Sequence, residues 1–207
     1  MQIKNIIFDW SGVISEDHYP VYITCMRMFK RIGIKEISYE EFKREFELPY
    51  MTFNRKYHDL PLEIAQSIYC EEVKKAPMPK IYPEAKKVLS ALKKSGYYIS
   101  IFSTMTTKRL EQEMDYMKLN GIFKNPKSGI VDKEKEMKPW LKKSGLKKDE
   151  TIYVADMVHD IRAAKKAGIR IASITRGYDS KEKLAKLSPD WLIDDLRELY
   201  GILNLKI

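Results

Sequence analysis

Cysteine, histidine and long apolar runs are all scarce in this sequence. The 207 residues include two cysteines, Cys25 and Cys70, and three histidines, and none has the spacing of a zinc site. Two thiols far apart in the chain fit a reduced protein better than a disulfide framework. No apolar segment approaches the roughly 20 residues that cross a bilayer, and the N-terminus lacks the basic-then-apolar order of a signal peptide. We therefore expect a cytoplasmic protein with no membrane partner.

A long block of basic residues is also missing, although the chain is basic overall. Lys and Arg number 38 against 29 Asp and Glu, which gives a formal charge of +9. Such a charge suits nucleic acid, an anionic membrane surface or an anionic small molecule. Here the basic residues are interleaved with glutamates, which is typical of a solvated charged surface. We expect no nucleic-acid partner, and the sequence leaves open whether the protein is a monomer or a homodimer.

Short apolar runs alternate with helical patterns along most of the chain. Strands are predicted at residues 6–8, 97–102, 129–131, 151–155, 169–174 and 191–193. Strands and helices that alternate with short connections favour an α/β fold with a Rossmann-like, doubly wound parallel sheet. The segment 15–80 differs, because its apolar residues follow a purely helical period. We predict a core formed by residues 1–14 and 81–207 and a small all-helical insertion at 15–80.

Carboxylates follow two of the predicted strands. Asp9 ends the first strand, shortly before Gly12, which allows a tight turn. Asp156 ends the strand at 151–155, and Asp160 follows four residues later. In open α/β sheets, ligands bind at the carboxyl ends of the strands. We therefore expect Asp9 and Asp156 to share a hard divalent cation such as Mg²⁺, which prefers oxygen ligands.

Groups that suit a phosphate are predicted at the same edge of the sheet. Ser103 and Thr104 follow the second predicted strand and precede a helix, whose first N–H groups favour a phosphate oxygen. A lysine, Lys133 or Lys135, lies just before a helix and is placed to reach the same crevice. Asp9 could then attack phosphorus and form an aspartyl-phosphate, while the lysine and a hydroxyl stabilise the developing charge.

These features occur in the order of four motifs that define one superfamily. The matching segments are Asp9-Trp10-Ser11-Gly12-Val13, Ile99-Ser100-Ile101-Phe102-Ser103-Thr104, Lys133, and Ala155-Asp156-Met157-Val158-His159-Asp160. With a helical insertion between the first two motifs, nearly the whole chain resembles the haloacid dehalogenase superfamily. The insertion resembles its cap domain, which closes over the site and selects the substrate. Lys133 is favoured over Lys135 as the motif lysine because it lies just ahead of the helix.

The resemblance implies a Mg²⁺-dependent phosphohydrolase for a small phosphorylated metabolite, with a phosphoglycolate-phosphatase-like character. The implied catalytic residues are Asp9, Ser11 and Lys133. The implied metal ligands are Asp9, the backbone carbonyl of Ser11, Asp156 and Asp160. The implied phosphate-binding residues are Gly12, Ser103, Thr104 and Lys133.

Ser11 departs from the pattern of the superfamily. Its phosphatases usually carry an aspartate there, which protonates the leaving group and then activates water. A serine hydroxyl is a poor proton shuttle near neutral pH, and loss of such a group typically costs about 10²–10⁴ in rate. Three functions therefore remain open: a slow phosphatase, a relative of the phosphonoacetaldehyde hydrolases, and a non-catalytic protein that binds a phosphorylated ligand or a partner. The second needs a lysine of the insertion to form a Schiff base, for which Lys30, Lys43 and Lys56 are available.

Overall fold

The computed structural model describes residues 2–205, which fold around a parallel β-sheet. The strands in chain order are β1 (Asn5–Phe8), β2 (Ser15–Glu16), β3 (Lys80–Ile81), β4 (Tyr98–Ile101), β5 (Thr151–Ala155), β6 (Arg170–Ile174) and β7 (Trp191–Ile193). The main sheet has five parallel strands in the order β4-β1-β5-β6-β7, and β2 pairs with β3 antiparallel. The predicted Rossmann-like α/β class is confirmed.

Helices connect the strands and cover the sheet. They are α1 (His18–Arg31), α2 (Tyr39–Glu45), α3 (Tyr50–Asn54), α4 (Leu62–Glu72), α5 (Ala85–Lys94), α6 (Thr107–Tyr116), α7 (Lys133–Lys143), α8 (Val158–Ala167), α9 (Lys181–Ala185) and α10 (Leu199–Ile202). Three short 3₁₀ segments, Val73–Lys75, Lys148–Glu150 and Leu196–Glu198, complete the helical structure. Within residues 2–205, no helix combines the length and apolar character needed to cross a bilayer.

Alternate residues of the central strands pack into two separate hydrophobic cores. In β1, Ile6 and Phe8 join the core that includes Leu89 of α5, whereas Ile7 joins the core that includes Met137 of α7 and Ile161 of α8. A strand that is buried on both faces favours apolar residues on each face. This requirement explains why residues 6–8 of β1 form an apolar run without the polar alternation of a half-exposed strand.

The strand predicted at 129–131 is wrong. Residues in this region cross the end of β4 as an extended loop: Lys127 forms an isolated bridge with Phe102, and Gly129 N donates to the carbonyl of Met105 at 2.7 Å. Gly129 has a φ of +67°, which a regular strand does not allow. Within this segment only Ile130 is buried, in the same core as Met137 of α7.

Residues 15–80 contain the first four helices, bracketed by the strand pair β2 and β3. Ser15 pairs with Ile81 and Glu16 with Lys80, so the chain leaves and re-enters the region of the sheet at one place. The segment is thus helical except at its two ends, where the prediction missed these short strands. It has its own aromatic core, in which Phe29, Phe42 and Phe53 are fully buried. We propose that this segment is a cap domain, as its sequence suggested.

Candidate active site

The carboxyl ends of β1, β4 and β5 meet because these strands are paired in register. Phe8 of β1 lies opposite Ile101 of β4 and Val154 of β5. The residues that follow the strands therefore lie at one edge of the sheet, with Asp9 after β1 and Asp156 after β5. Both side chains are buried, as the predicted crevice requires.

Lys133 is fully buried at the centre of this edge. Its Nζ donates to Asp9 Oδ2 at 2.6 Å, to Asp160 Oδ1 at 2.7 Å and to the Tyr153 hydroxyl at 3.0 Å. Burial alone would lower the pKa of Lys133, but the charges of Asp160 and Asp9 outweigh burial and raise this pKa above its ordinary value. The ammonium group therefore stays charged and holds the two carboxylates in place. Sequence reasoning missed Tyr153, because a tyrosine in a buried strand predicts only core packing.

The structure distinguishes between the two candidate lysines. Lys133 begins α7 and turns inward, whereas the side chain of Lys135 is 79% exposed and pairs with Asp132 at 3.2 Å. On the other side, Lys133 N donates to His159 Nε2 at 3.2 Å. Burial and the charge of Lys133 lower the pKa of His159 to about 4, so this imidazole is a neutral acceptor that positions the start of α7.

Three buried carboxylates could hold a metal ion. Asp9, Asp156 and Asp160 each offer one oxygen within 4.8 Å of the others. Asp156 Oδ2 accepts a hydrogen bond from Tyr178 N at 2.7 Å, whereas Asp156 Oδ1 is buried with no partner among residues 2–205. Burial and the charges of Asp9 and Asp160 raise the pKa of Asp156 well above its ordinary value. A divalent cation fits this set, since it would pair the free oxygen and offset the mutual repulsion.

Two glycines bring backbone against the carboxylate of Asp156. A β-carbon at Gly12 would lie 2.2 Å from Asp156 Oδ2, and one at Gly177 would lie 2.1 Å from the same oxygen. Gly12 also has a φ of +70°, in agreement with the tight turn predicted after β1. Gly177 was not predicted at the site; its signal in the sequence is an Arg-Gly-Tyr turn soon after a strand end.

The residues predicted to bind phosphate after β4 take different positions. Ser103 is buried, and its Oγ accepts a hydrogen bond from Met105 N at 3.3 Å. Thr104 is half-buried and lines a cavity that also reaches Asp9. Thr104 therefore lies at the cavity, whereas Ser103 shapes the loop that carries it.

Ser11 has an acidic partner that the sequence did not reveal. Its hydroxyl donates to Asp17 Oδ2 at 2.5 Å, and the Tyr178 hydroxyl donates to Asp17 Oδ1 at 3.3 Å. Burial and the negative charge of Glu113 raise the pKa of Asp17 to about 8. An aspartate directly before a helix predicts an N-cap, but the Asp17 side chain makes no capping hydrogen bond to α1.

A second cluster of buried charged side chains connects α6 to Trp10 of the first motif. Trp10 Nε1 donates to Glu113 Oε2 at 2.7 Å, and Arg109 Nε donates to Glu113 Oε1 at 2.6 Å. Arg109 also donates to the carbonyls of Val73 and Pro77, at 3.2 and 2.8 Å. Glu113 and Arg109 thus link Trp10 to the end of the insertion, where the chain returns to the sheet.

A cavity of about 340 Å³ opens over the carboxylates. Asp9, Ser11 and Asp156 lie at its base, and side chains from α1, α3 and α4 form much of its wall. Its volume is within the range of small-molecule sites, about 300–1,000 Å³. The arrangement can therefore place one small ligand against Asp9 and Asp156.

The chain is similar to known proteins in sequence and in fold. Phosphoglycolate phosphatase from Pasteurella multocida is 27% identical over 129 residues, which are 60% of this chain and 58% of that protein. A phosphoglycolate phosphatase from Pseudomonas fluorescens is 29% identical over 124 residues, 58% of this chain and 46% of that protein. The chain thus spans about half the length of the curated relatives that it matches.

Solved structures show the same fold over the whole chain. A hydrolase of the haloacid dehalogenase-like family from Streptococcus pneumoniae superposes with a TM-score of 0.84 at 19% identity, covering 97% of this chain and 98% of that one. A predicted phosphatase from Clostridium acetobutylicum gives a TM-score of 0.84 at 17% identity, covering 99% and 100%. The sequence model described as haloacid dehalogenase-like hydrolase matches residues 6–174. The chain therefore belongs to the haloacid dehalogenase-like hydrolase family.

Proposed function

We propose that the protein is a Mg²⁺-dependent phosphohydrolase that acts on a small phosphorylated metabolite through an aspartyl-phosphate on Asp9. The observation that carries this proposal is the buried Lys133, held between Asp9 and Asp160 beside the partly unpaired carboxylate of Asp156. Membership of a hydrolase family and the phosphatase names of the relatives support the same reaction class.

Asp9 is oriented at both of its oxygens. Oδ1 accepts a hydrogen bond from Trp10 N at 2.7 Å, and Oδ2 accepts one from Lys133 at 2.6 Å. A fixed carboxylate has little orientational freedom to lose when it attacks phosphorus. In the first step a bond forms between an Asp9 oxygen and phosphorus as the ester oxygen leaves with the bonding electrons. Water then cleaves the acyl phosphate, which releases inorganic phosphate and restores Asp9.

The proposed metal site uses Asp9, Asp156, Asp160 and the backbone carbonyl of Ser11. A bound Mg²⁺ would offset the repulsion between these carboxylates and an incoming phosphate dianion. Asp156 Oδ1 is the protein oxygen best placed to gain a partner, since Asp160 already accepts hydrogen bonds at both of its oxygens.

The proposed phosphate site lies beside Asp9. Lys133 supplies a fixed positive charge, Thr104 supplies a hydroxyl at the cavity, and Gly12 supplies backbone without a side chain. Ser103 is proposed to hold this loop in shape. Such donors stabilise the charge that develops on the transferred phosphoryl group.

The structure gives little support to a phosphonoacetaldehyde-type reaction. That chemistry needs a lysine of the insertion in the cavity, and no lysine of residues 2–205 lines it. Lys43 pairs with Glu40 at 2.8 Å and Lys56 with Glu47 at 2.7 Å, while Lys30 is exposed.

Hydrolysis of p-nitrophenyl phosphate and acetyl phosphate, with Mg²⁺ and with EDTA, tests the proposal. We expect turnover only with Mg²⁺, and loss of turnover in Asp9→Asn but not in the matched surface variant Asp149→Asn. Acid quenching of the reaction with ³²P-labelled acetyl phosphate should leave label on the wild-type chain and none on Asp9→Asn. A wild-type protein that binds phosphate tightly and turns over neither compound would favour the non-catalytic function.

A further inference from the structure

Apolar and aromatic residues form most of the cavity wall above Asp9 and Asp156. They include Val21, Phe46, Leu48, Phe53, Ala65 and Tyr69. Other residues of the wall are polar but uncharged, and two of them, Tyr50 and Gln66, are hydrogen-bonded to each other. A wall of this kind favours an uncharged, largely apolar group over a charged one.

The charged side chains of the wall are acidic with one exception. Among residues 2–205, those that line the cavity are Asp9, Asp17, Arg109, Glu113 and Asp156. Arg109 is 4% exposed, and Nε, Nη1 and Nη2 already donate to Glu113 and to the carbonyls of Val73 and Pro77. No cation of the wall is therefore free to receive a second anionic group of the substrate.

This charge distribution matters because an anion must lose water when it enters an apolar cavity. Without a cation to replace that water, the cost of burying a carboxylate is several-fold larger than that of a neutral group. The phosphate itself avoids the problem, since it would lie against Asp9 and the proposed metal site at the base of the cavity.

We propose that the enzyme selects phosphate monoesters whose alcohol part is uncharged and largely apolar, and disfavours esters that carry a carboxylate or a second phosphate. Phosphoglycolate, which names several relatives, belongs to the disfavoured class because it carries a carboxylate. This inference rests on the proposed phosphohydrolase function and specifies its substrate class.

Benzyl phosphate and 4-carboxybenzyl phosphate form a matched pair for the test, since their ester groups are alike and only one carries a second anion. We expect kcat/KM for benzyl phosphate to exceed that for its carboxylated analogue, and that for phosphoglycolate, by about tenfold or more. Equal or better turnover of either carboxylated ester would overturn the inference.

A variant that adds a cation to the wall provides a second test. Gln66→Lys places an ammonium group in the cavity and should lower the ratio of the two kcat/KM values several-fold. Ile64→Lys is the matched control, because Ile64 lies on the same helix, is 48% exposed and does not line the cavity. An unchanged ratio in a folded Gln66→Lys protein would count against the inference.

Binding separates this inference from the proposed function. Benzylphosphonate and 4-carboxybenzylphosphonate cannot be hydrolysed at an ester bond, and their affinities with Mg²⁺ can be measured by calorimetry even if no ester is turned over. Absence of turnover would contradict the proposed hydrolase function but would not bear on the inferred ligand class, which these affinities test. Tighter binding of benzylphosphonate would support the apolar class, and equal or tighter binding of the carboxylated compound would exclude it.

Discussion

Lys133 is the residue on which the buried charges depend. Its ammonium group contacts Asp9 and Asp160, and none of the three side chains has appreciable contact with solvent. Lys133→Met would leave two buried carboxylates without their cation, which typically costs about 3–5 kcal/mol. We expect this loss in urea unfolding without metal, together with loss of turnover. Lys135→Met is the control and should change stability by less than about 0.5 kcal/mol; similar losses in both variants would contradict the assignment.

Asp17 is the carboxyl group nearest the position where phosphatases of the family usually carry their acid and base. Its link to that position is the hydrogen bond from Ser11. We expect Asp17→Asn to slow the hydrolysis of alkyl phosphates by about tenfold or more. The hydrolysis of acetyl phosphate should change little, since acetate leaves without a proton. Exposed Glu16→Gln is the control. Equal losses with both kinds of substrate would point to a structural role.

The pKa of Asp17, raised by burial to about 8, also predicts how stability changes with pH. In the unfolded chain the Asp17 carboxyl group has its ordinary pKa of about 3.8, whereas in the folded protein it keeps its proton to about pH 8. Its contribution to stability is therefore complete below pH 3.8 and falls as the pH rises to 8, by at most about 1.4 kcal/mol per pH unit. Relative to wild type, metal-free Asp17→Asn should become steadily more stable over that range in urea titrations. A constant difference would show that Asp17 ionises normally.

At the residue scale, the sequence predicts the site residues that belong to a motif. It misses those that reach the site only through tertiary packing. Asp9 and Lys133 follow from their positions after a strand and before a helix. Asp17 and Glu113 carry no such signal, because an aspartate before a helix and a glutamate within one are ordinary surface residues. Only the packing of α6 against the first motif makes them neighbours.

At the scale of elements, the turn after β1 depends on the absence of a side chain at Gly12. Gly12→Ala would combine the strain of a positive φ with a contact of 2.2 Å to Asp156. Gly145→Ala has the same strain, with a φ of +67°, but meets nothing within 4 Å. We expect both to lose stability by roughly 1 kcal/mol or more, and only Gly12→Ala to lose Mg²⁺ affinity as measured by calorimetry. Equal Mg²⁺ affinity in the two variants would contradict this role.

Strands could be predicted from the sequence where burial on both faces determined the choice of residues. β1 and β5 are buried on both faces, so their apolar runs identify them without further information. The segment 129–131 has the same composition, yet it is a loop, because its neighbour β4 ends before a ladder can form. Apolar composition predicts that a segment is buried. Whether that segment forms a strand depends on the path of the neighbouring strand with which it would pair.

At the scale of the whole molecule, metal binding and folding should be coupled. Asp9, Asp156 and Asp160 repel one another in the folded protein and separate in the unfolded chain. Mg²⁺ should therefore raise the melting temperature, since an ion that binds only the folded state stabilises it. Asp156→Asn should melt higher than wild type in EDTA and respond less to Mg²⁺. A lower melting temperature of this variant in EDTA would contradict the repulsion.

The buried cluster around Lys133 also has a definite net charge. When all three aspartates are ionised to bind a metal, they and Lys133 sum to a formal charge of −2, within a region that water hardly reaches. One doubly charged ion balances that deficit, whereas sodium or potassium would leave half of it. We therefore expect the charge of a cation to affect its affinity for this site more strongly than its radius does.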